Sequence, residues 1–197
     1  MNTTTDNRPA PETVAERARE IMTALSRDPE FSAFSAAALK YDEAWTCFTG
    51  FPVISNWDLG ADKRPLLTEG LRALALKAAV YELGGQDETM TEIPIAVPVD
   101  EMMHAMIAQP QLLARIAGRV GIAVIHQTDK EHHDHTTGDY THTAYVHAWG
   151  TPPERYPLLY SPGGSPALSG WTQTGVPSAA YRCPSSGLKG HSSVGRS

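Results

Sequence analysis

Seven of the eight histidines fall between positions 104 and 147, and four of them, His126, His132, His133 and His135, are interleaved with Asp129, Glu131 and Asp134. Neutral imidazole and carboxylate are the side chains that bind borderline divalent ions such as zinc, iron and manganese. The stretch IHQTDKEHHDHTTGDYTHTAYVH is therefore where metal chemistry would be sited. Upstream, VPVDEMMHAMIA carries Asp100 and His104, four residues apart and so on one face of a helix, where they could grip one ion together. The same spacing also suits a first-turn acid that favours the helix dipole and hydrogen-bonds the imidazole, with no ion present. If His126 is delivered to that pair, Asp100, His104 and His126 form a facial set. His133, or its neighbour His132 or His135, would then close it. Glu131 and Asp134 are the candidate general bases, or else partners that orient the ligands.

Other chemistries find no footing. E-H-H-D-H is not a zincin signature, because His132, His133 and His135 cannot share one helical face, and H-E-x-x-H is absent. GGSPALSG lacks the strand and helix that flank a hydrolase nucleophile, and no glycine loop ends in Lys-Ser or Lys-Thr as a phosphate cradle does.

The elements that must position these residues are helical. Pro11 and Glu12 open a helix in which Val14, Ala18, Ile21, Met22 and Leu25 recur on one face. Asp28, Pro29 and Glu30 start a second, along which Phe31, Phe34, Ala38, Tyr41, Trp45 and Phe48 step by three or four before Gly50 and Pro52 stop it. The segment FPVISNWDLGADKRP reads as irregular. Thr68 then caps a third helix with Leu71, Leu74, Ala75, Ala78 and Tyr81 in line, and Gly84-Gly85 supplies a left-handed stop. Pro98 fits the first turn of the helix that bears Asp100 and His104. A further helix carries Leu112, Leu113, Ile116 and Val120 inward and Arg115 and Arg119 outward, and Gly121 closes it. The β-branched run IAVI ends at His126 and could pair with TAYVHAW as a small hairpin.

Helices in this order, then VDEMMHAMI, then a run ending VIH, resemble bacterial relatives of the plant glycine-rich domain-containing protein family over roughly residues 28 to 130. Asp100, His104 and His126 match positions of that family's motif, whereas Met103 stands where the family usually has Trp, and the cysteine often found before the later histidine is absent. The resemblance implies a helical domain with polar residues gathered around one place.

Charge and composition bound the rest. Of the 16 basic residues, four follow Glu154, which leaves 12 against all 22 acidic ones in the first 154 positions. An acidic body without a basic face repels a phosphate backbone, so nucleic acid is not the expected partner. No apolar run is long enough to span a bilayer and the start is polar, so a cytoplasmic protein with no membrane contact is expected, with Cys47 and Cys183 reduced. From Ser161 onward Ser, Gly and Pro make up 20 of 37 residues, a composition that cannot offset the entropy of ordering. The expected architecture is a mainly α single domain over 11–155 with a small β-hairpin, a disordered leader over 1–10 and a disordered tail over 156–197. Two functions fit: a non-catalytic interaction or regulatory module for a protein or small-molecule partner, or a divalent-metal domain, including a metal-dependent hydrolase.

Overall fold

A computed structural model of the chain describes residues 7–40, 59–126 and 137–153. The described residues form six α-helices and one 3-10 turn, with no strand among them. The helices are α1 (Pro11–Arg27), α2 (Phe31–Ala38), α3 (Leu59–Leu83), α4 (Val97–Ile107), α5 (Pro110–Val120) and α6 (Tyr140–Trp149), with the 3-10 turn at Glu88–Thr91. No helix of the described residues is long and apolar enough to cross a membrane.

The helix α3 is the central post, touching α1, α4, α6 and the 3-10 turn. Leu66, Leu71, Ala73, Leu74, Ala75, Leu76, Ala78, Ala79 and Val80 are all buried, a run with no solvent face and therefore the mark of a helix surrounded on all sides. It begins at Leu59 and carries Pro65 inside it, so the irregular segment expected up to Pro65 is helical from Leu59 on. Thr68 is not a cap: it is mid-helix, and its hydroxyl donates to the Arg64 carbonyl at 3.3 Å. The stop is as expected, with Gly85 and Gln86 both at positive φ and the Gln86 amide reaching back to the Tyr81 carbonyl.

Helix α1 lays Val14, Ala18, Ile21 and Leu25 against α3 and α6. In α2, Phe34 is buried and Phe31 packs at the core margin. The rest of that expected aromatic stripe, Tyr41, Trp45 and Phe48, lies outside the described residues. So does the expected tail over 156–197 and the leader up to residue 6. The last leader residues are in contact with α6, since the Tyr140 hydroxyl donates to the Pro9 carbonyl at 2.7 Å and the Arg8 guanidinium sits over the Tyr140 ring.

The expected hairpin is absent. Residues 122–126 form no strand, and TAYVHAW lies within α6. Two short strands alone are marginal in water, whereas the helix has better local support. The Asp139 carboxylate caps it by accepting from the His142 amide at 2.8 Å. Thr141, Ala144, Tyr145 and Ala148, at helical spacing, bury one face, and this packing outweighs the strand preference of the threonines, valine and aromatics.

Candidate metal centre

Helix α4 presents Asp100 in its first turn and His104 in its last. Its inner side, Val99, Met102, Met103, Ala105 and Met106, is buried. Contact with α3 is close because Gly70 has no side chain: a Cβ there would meet the Met106 methyl at 2.9 Å and Met102 Cγ at 3.2 Å. The inner methionines thus fix the roll of α4 on α3, and the roll fixes where Asp100 and His104 emerge.

His126 arrives from the other end of the chain's next helix. Gly121, at φ 75°, ends α5 in a left-handed turn, and the amides of both Gly121 and Ile122 return to the Ala117 carbonyl. Ile122 and Val124 then pack against the core. An 11-residue α5 is about 16 Å long, and the residues from 121 to 126 can span about that length when extended. The chain therefore runs out along α5 and comes back, which is how His126 regains the last turn of α4.

The three residues converge. The rings of His104 and His126 lie 4.7 Å apart, edge to face at 75°. The Asp100 carboxylate faces both: Oδ2 is 3.7 Å from His104 Nε2 and Oδ1 is 3.8 Å from His126 Nε2. One ligand atom from each residue lies within 4.8 Å of those of the other two. The side chains of Asp100, His104 and His126 are only 13%, 9% and 8% exposed. Distances of 3.7–3.8 Å are too long for the direct Asp–His hydrogen bond of the ion-free reading. They are close to the ~3.4 Å that separates two ligands bound at about 2.1 Å around one tetrahedral ion, so the carboxylate stands near ligand spacing from each imidazole, and side-chain adjustments within the 4.8 Å envelope of the three would bring them onto one centre. Two imidazoles and one carboxylate form a donor set suited to zinc, iron or manganese and less so to calcium or magnesium, which prefer all-oxygen sites.

His133, the fourth expected ligand, and the candidate bases Glu131 and Asp134 lie outside the described residues, as do His132 and His135. His142 and His147 are on α6, where His147 Nε2 is 3.3 Å from the Glu12 carboxylate at the surface.

Sequence reasoning missed a second polar cluster, between α3 and α6. Glu69, 3% exposed, accepts from the Tyr145 hydroxyl at 2.9 Å and from Arg72 Nη1 at 2.8 Å. Arg72 also donates to the Tyr145 hydroxyl, and its guanidinium lies over the Tyr145 and Trp149 rings at 5.5 and 5.4 Å. Burial pushes the Glu69 carboxyl up from its ordinary pKa, while the Arg72 charge and the Tyr145 hydrogen bond pull the other way. Burial, reinforced by the Glu69 charge, pushes the Tyr145 phenol up as well. The available signal was the apolar composition all round α3, which leaves Glu69 no outward face, but assigning TAYVHAW to a strand concealed its partner.

Comparison with known proteins finds no matching family model, no matching curated protein and no matching solved structure.

Proposed function

We propose that this chain is a divalent-metal-binding helical domain in which Asp100, His104 and His126 hold a zinc, iron or manganese ion. The observation that carries the reading is the meeting of two imidazoles and a carboxylate, delivered by α4 and by the segment after α5, at near-ligand spacing in a largely buried place. Three protein ligands leave a position for a water or for a further side chain. A zinc ion so held would lower the pKa of a bound water to about 7, the chemistry of a metal-dependent hydrolase. The likeness to the glycine-rich domain-containing family belongs to the same proposal, since the residues that match its motif are these three.

The interaction-module reading receives less support. The large apolar side chains exposed among the described residues are Leu83 on α3 and Val146 on α6, and single exposed residues do not make a docking patch. Elemental analysis of protein purified without a histidine tag tests the metal reading. One zinc, iron or manganese per chain is expected, with loss of the metal in Asp100→Asn and His104→Ala. A metal-free chain that takes up none of these ions on dialysis contradicts it.

A further inference from the structure

A surface network of two arginines and two carboxylates joins α5, whose far end feeds the segment carrying His126, to Asp28 and Glu30. Arg119 donates from Nε to Asp28 Oδ2 at 2.7 Å and from Nη2 to Asp28 Oδ1 at 2.7 Å and Glu30 Oε2 at 2.6 Å. One turn earlier, Arg115 donates from Nε and Nη2 to Glu30 Oε1 at 3.1 and 2.7 Å, and from Nε to Oε2 at 3.0 Å. Asp28 is itself fixed, because its Oδ1 accepts from the Glu30 amide at 2.8 Å. Two planar guanidinium forks therefore hold the last two turns of α5 to the corner between α1 and α2, a geometry that a flexible ammonium cannot reproduce.

From this arrangement we infer that Arg115 and Arg119 are positioning residues for His126. Helix α5 and the returning residues 121–126 form two legs of one turn, hinged at Gly121. Asp100 and His104 are set independently, by the methionine face of α4 on α3 around Gly70. His126 lies on no helix: its leg starts from the end of α5 and is steadied by Ile122 and Val124 against the core, and what sets the end of α5 is the arginine clamp together with the buried Leu113, Ile116 and Ala117. A ligand must be placed to within about half an ångström to serve an ion. A clamp two turns long at the base of the returning leg supplies that control.

The inference bears on the metal reading but is tested apart from it. The full-length, untagged chain is compared with Arg115→Gln/Arg119→Gln and with Arg119→Lys, which keeps the charge and loses the fork. Two quantities are read: the NMR cross-peak between the His104 and His126 rings in the metal-free protein, and zinc affinity by competition with a chromophoric chelator. With helix content unchanged by circular dichroism, the double variant should lose the ring cross-peak and bind zinc about 10- to 100-fold more weakly, the range for partners that orient ligands. Arg119→Lys should fall between it and the wild type. A clamp that merely stabilised the fold would leave zinc affinity unchanged while nearly all molecules remain folded, since the binding-competent population would not change. If the double variant does not fold, Arg119→Lys decides the matter alone. A retained cross-peak with affinity within twofold of wild type overturns the inference. A wild type that binds no zinc, with a ring cross-peak that still depends on the arginines, overturns the metal reading and leaves the positioning role standing.

Discussion

Two clusters of polar side chains sit at the edges of the same core, and they are built differently. Between α3 and α6, Arg72 and Tyr145 donate to Glu69 at 2.8 and 2.9 Å and Arg72 also donates to the Tyr145 hydroxyl, so each group's charge or dipole is answered by a neighbour in direct contact. Between α4 and the segment ending at His126, the Asp100 carboxylate stands 3.7 and 3.8 Å from the nearest nitrogens of the two imidazoles. The first cluster is complete as a hydrogen-bonded unit and has no room for a ligand between its members. The second has the spacing of groups that face a common centre. Polarity and burial are common to both, and separation is what distinguishes a structural latch from a candidate binding site.

The largest effect is expected from breaking the latch. Arg72→Ala leaves the Glu69 carboxylate buried without its cation and should cost about 3 kcal/mol in chemical denaturation, the low end for buried pairs because Arg72 is partly exposed. In the other cluster the quantity to read is the response to an ion. Zinc at 100 times the wild-type dissociation constant should stabilise the wild type by about 2.7 kcal/mol and Asp100→Asn, if it binds about 100-fold more weakly, by no more than about 0.4 kcal/mol. Thermal denaturation with and without zinc reads both quantities. A smaller loss, about 1 kcal/mol, is expected for Asp139→Ala, which removes the cap of the helix that carries Tyr145; a loss above 3 kcal/mol would mean that α6 has no other anchorage.

Acid separates the latch from the arginine clamp by sign. The Glu69 carboxyl is raised by burial, so its contribution is fully present below the ordinary glutamate pKa of about 4.5 and is lost as pH rises through the higher folded value. Glu30 is lowered to about 2, first by Arg115 and then by Arg119, and Asp28 is lowered by Arg119. Their contribution is present above the ordinary carboxylate range and is lost as pH falls toward about 2. Stability measured against pH should therefore show a shallower acid-side decline in Glu30→Gln, with the part due to Asp28 remaining, and a shallower decline above pH 4.5 in Glu69→Gln. The same curve in both variants would show that neither carboxylate is coupled to folding as its surroundings require.

Much of this was legible in the chain because periodicity reports which face is buried. The stripes Val14, Ala18, Ile21, Leu25 and Leu113, Ile116 are core faces as their spacing predicts, and Asp100 and His104 emerge together because four residues make one turn. That His126 joins them was suggested by its apolar approach, though the vehicle is the irregular segment 122–126, with Ile122 and Val124 against the core, and not a strand. What was not legible depends on tertiary context. Pro65 reads as a breaker yet lies inside α3, and the β-branched and aromatic residues of TAYVHAW favour a strand until their burial against α1 and α3 is known. Glu69 escaped notice for a related reason: the apolar surroundings along α3 hint that it is buried, but they do not name its partner Tyr145, 76 positions away.

The central claim is that Asp100, His104 and His126 share one ion. The most direct measurement is calorimetric titration of zinc into the untagged, metal-free chain and into Asp100→Asn, His104→Ala and His126→Ala, with folding of each verified by circular dichroism. One tight site per wild-type chain is predicted, weakened by at least about 100-fold in each of the three variants, because each removes one of few direct ligands. Absence of binding to the wild type, or a site that survives all three substitutions with its affinity intact, would contradict the account.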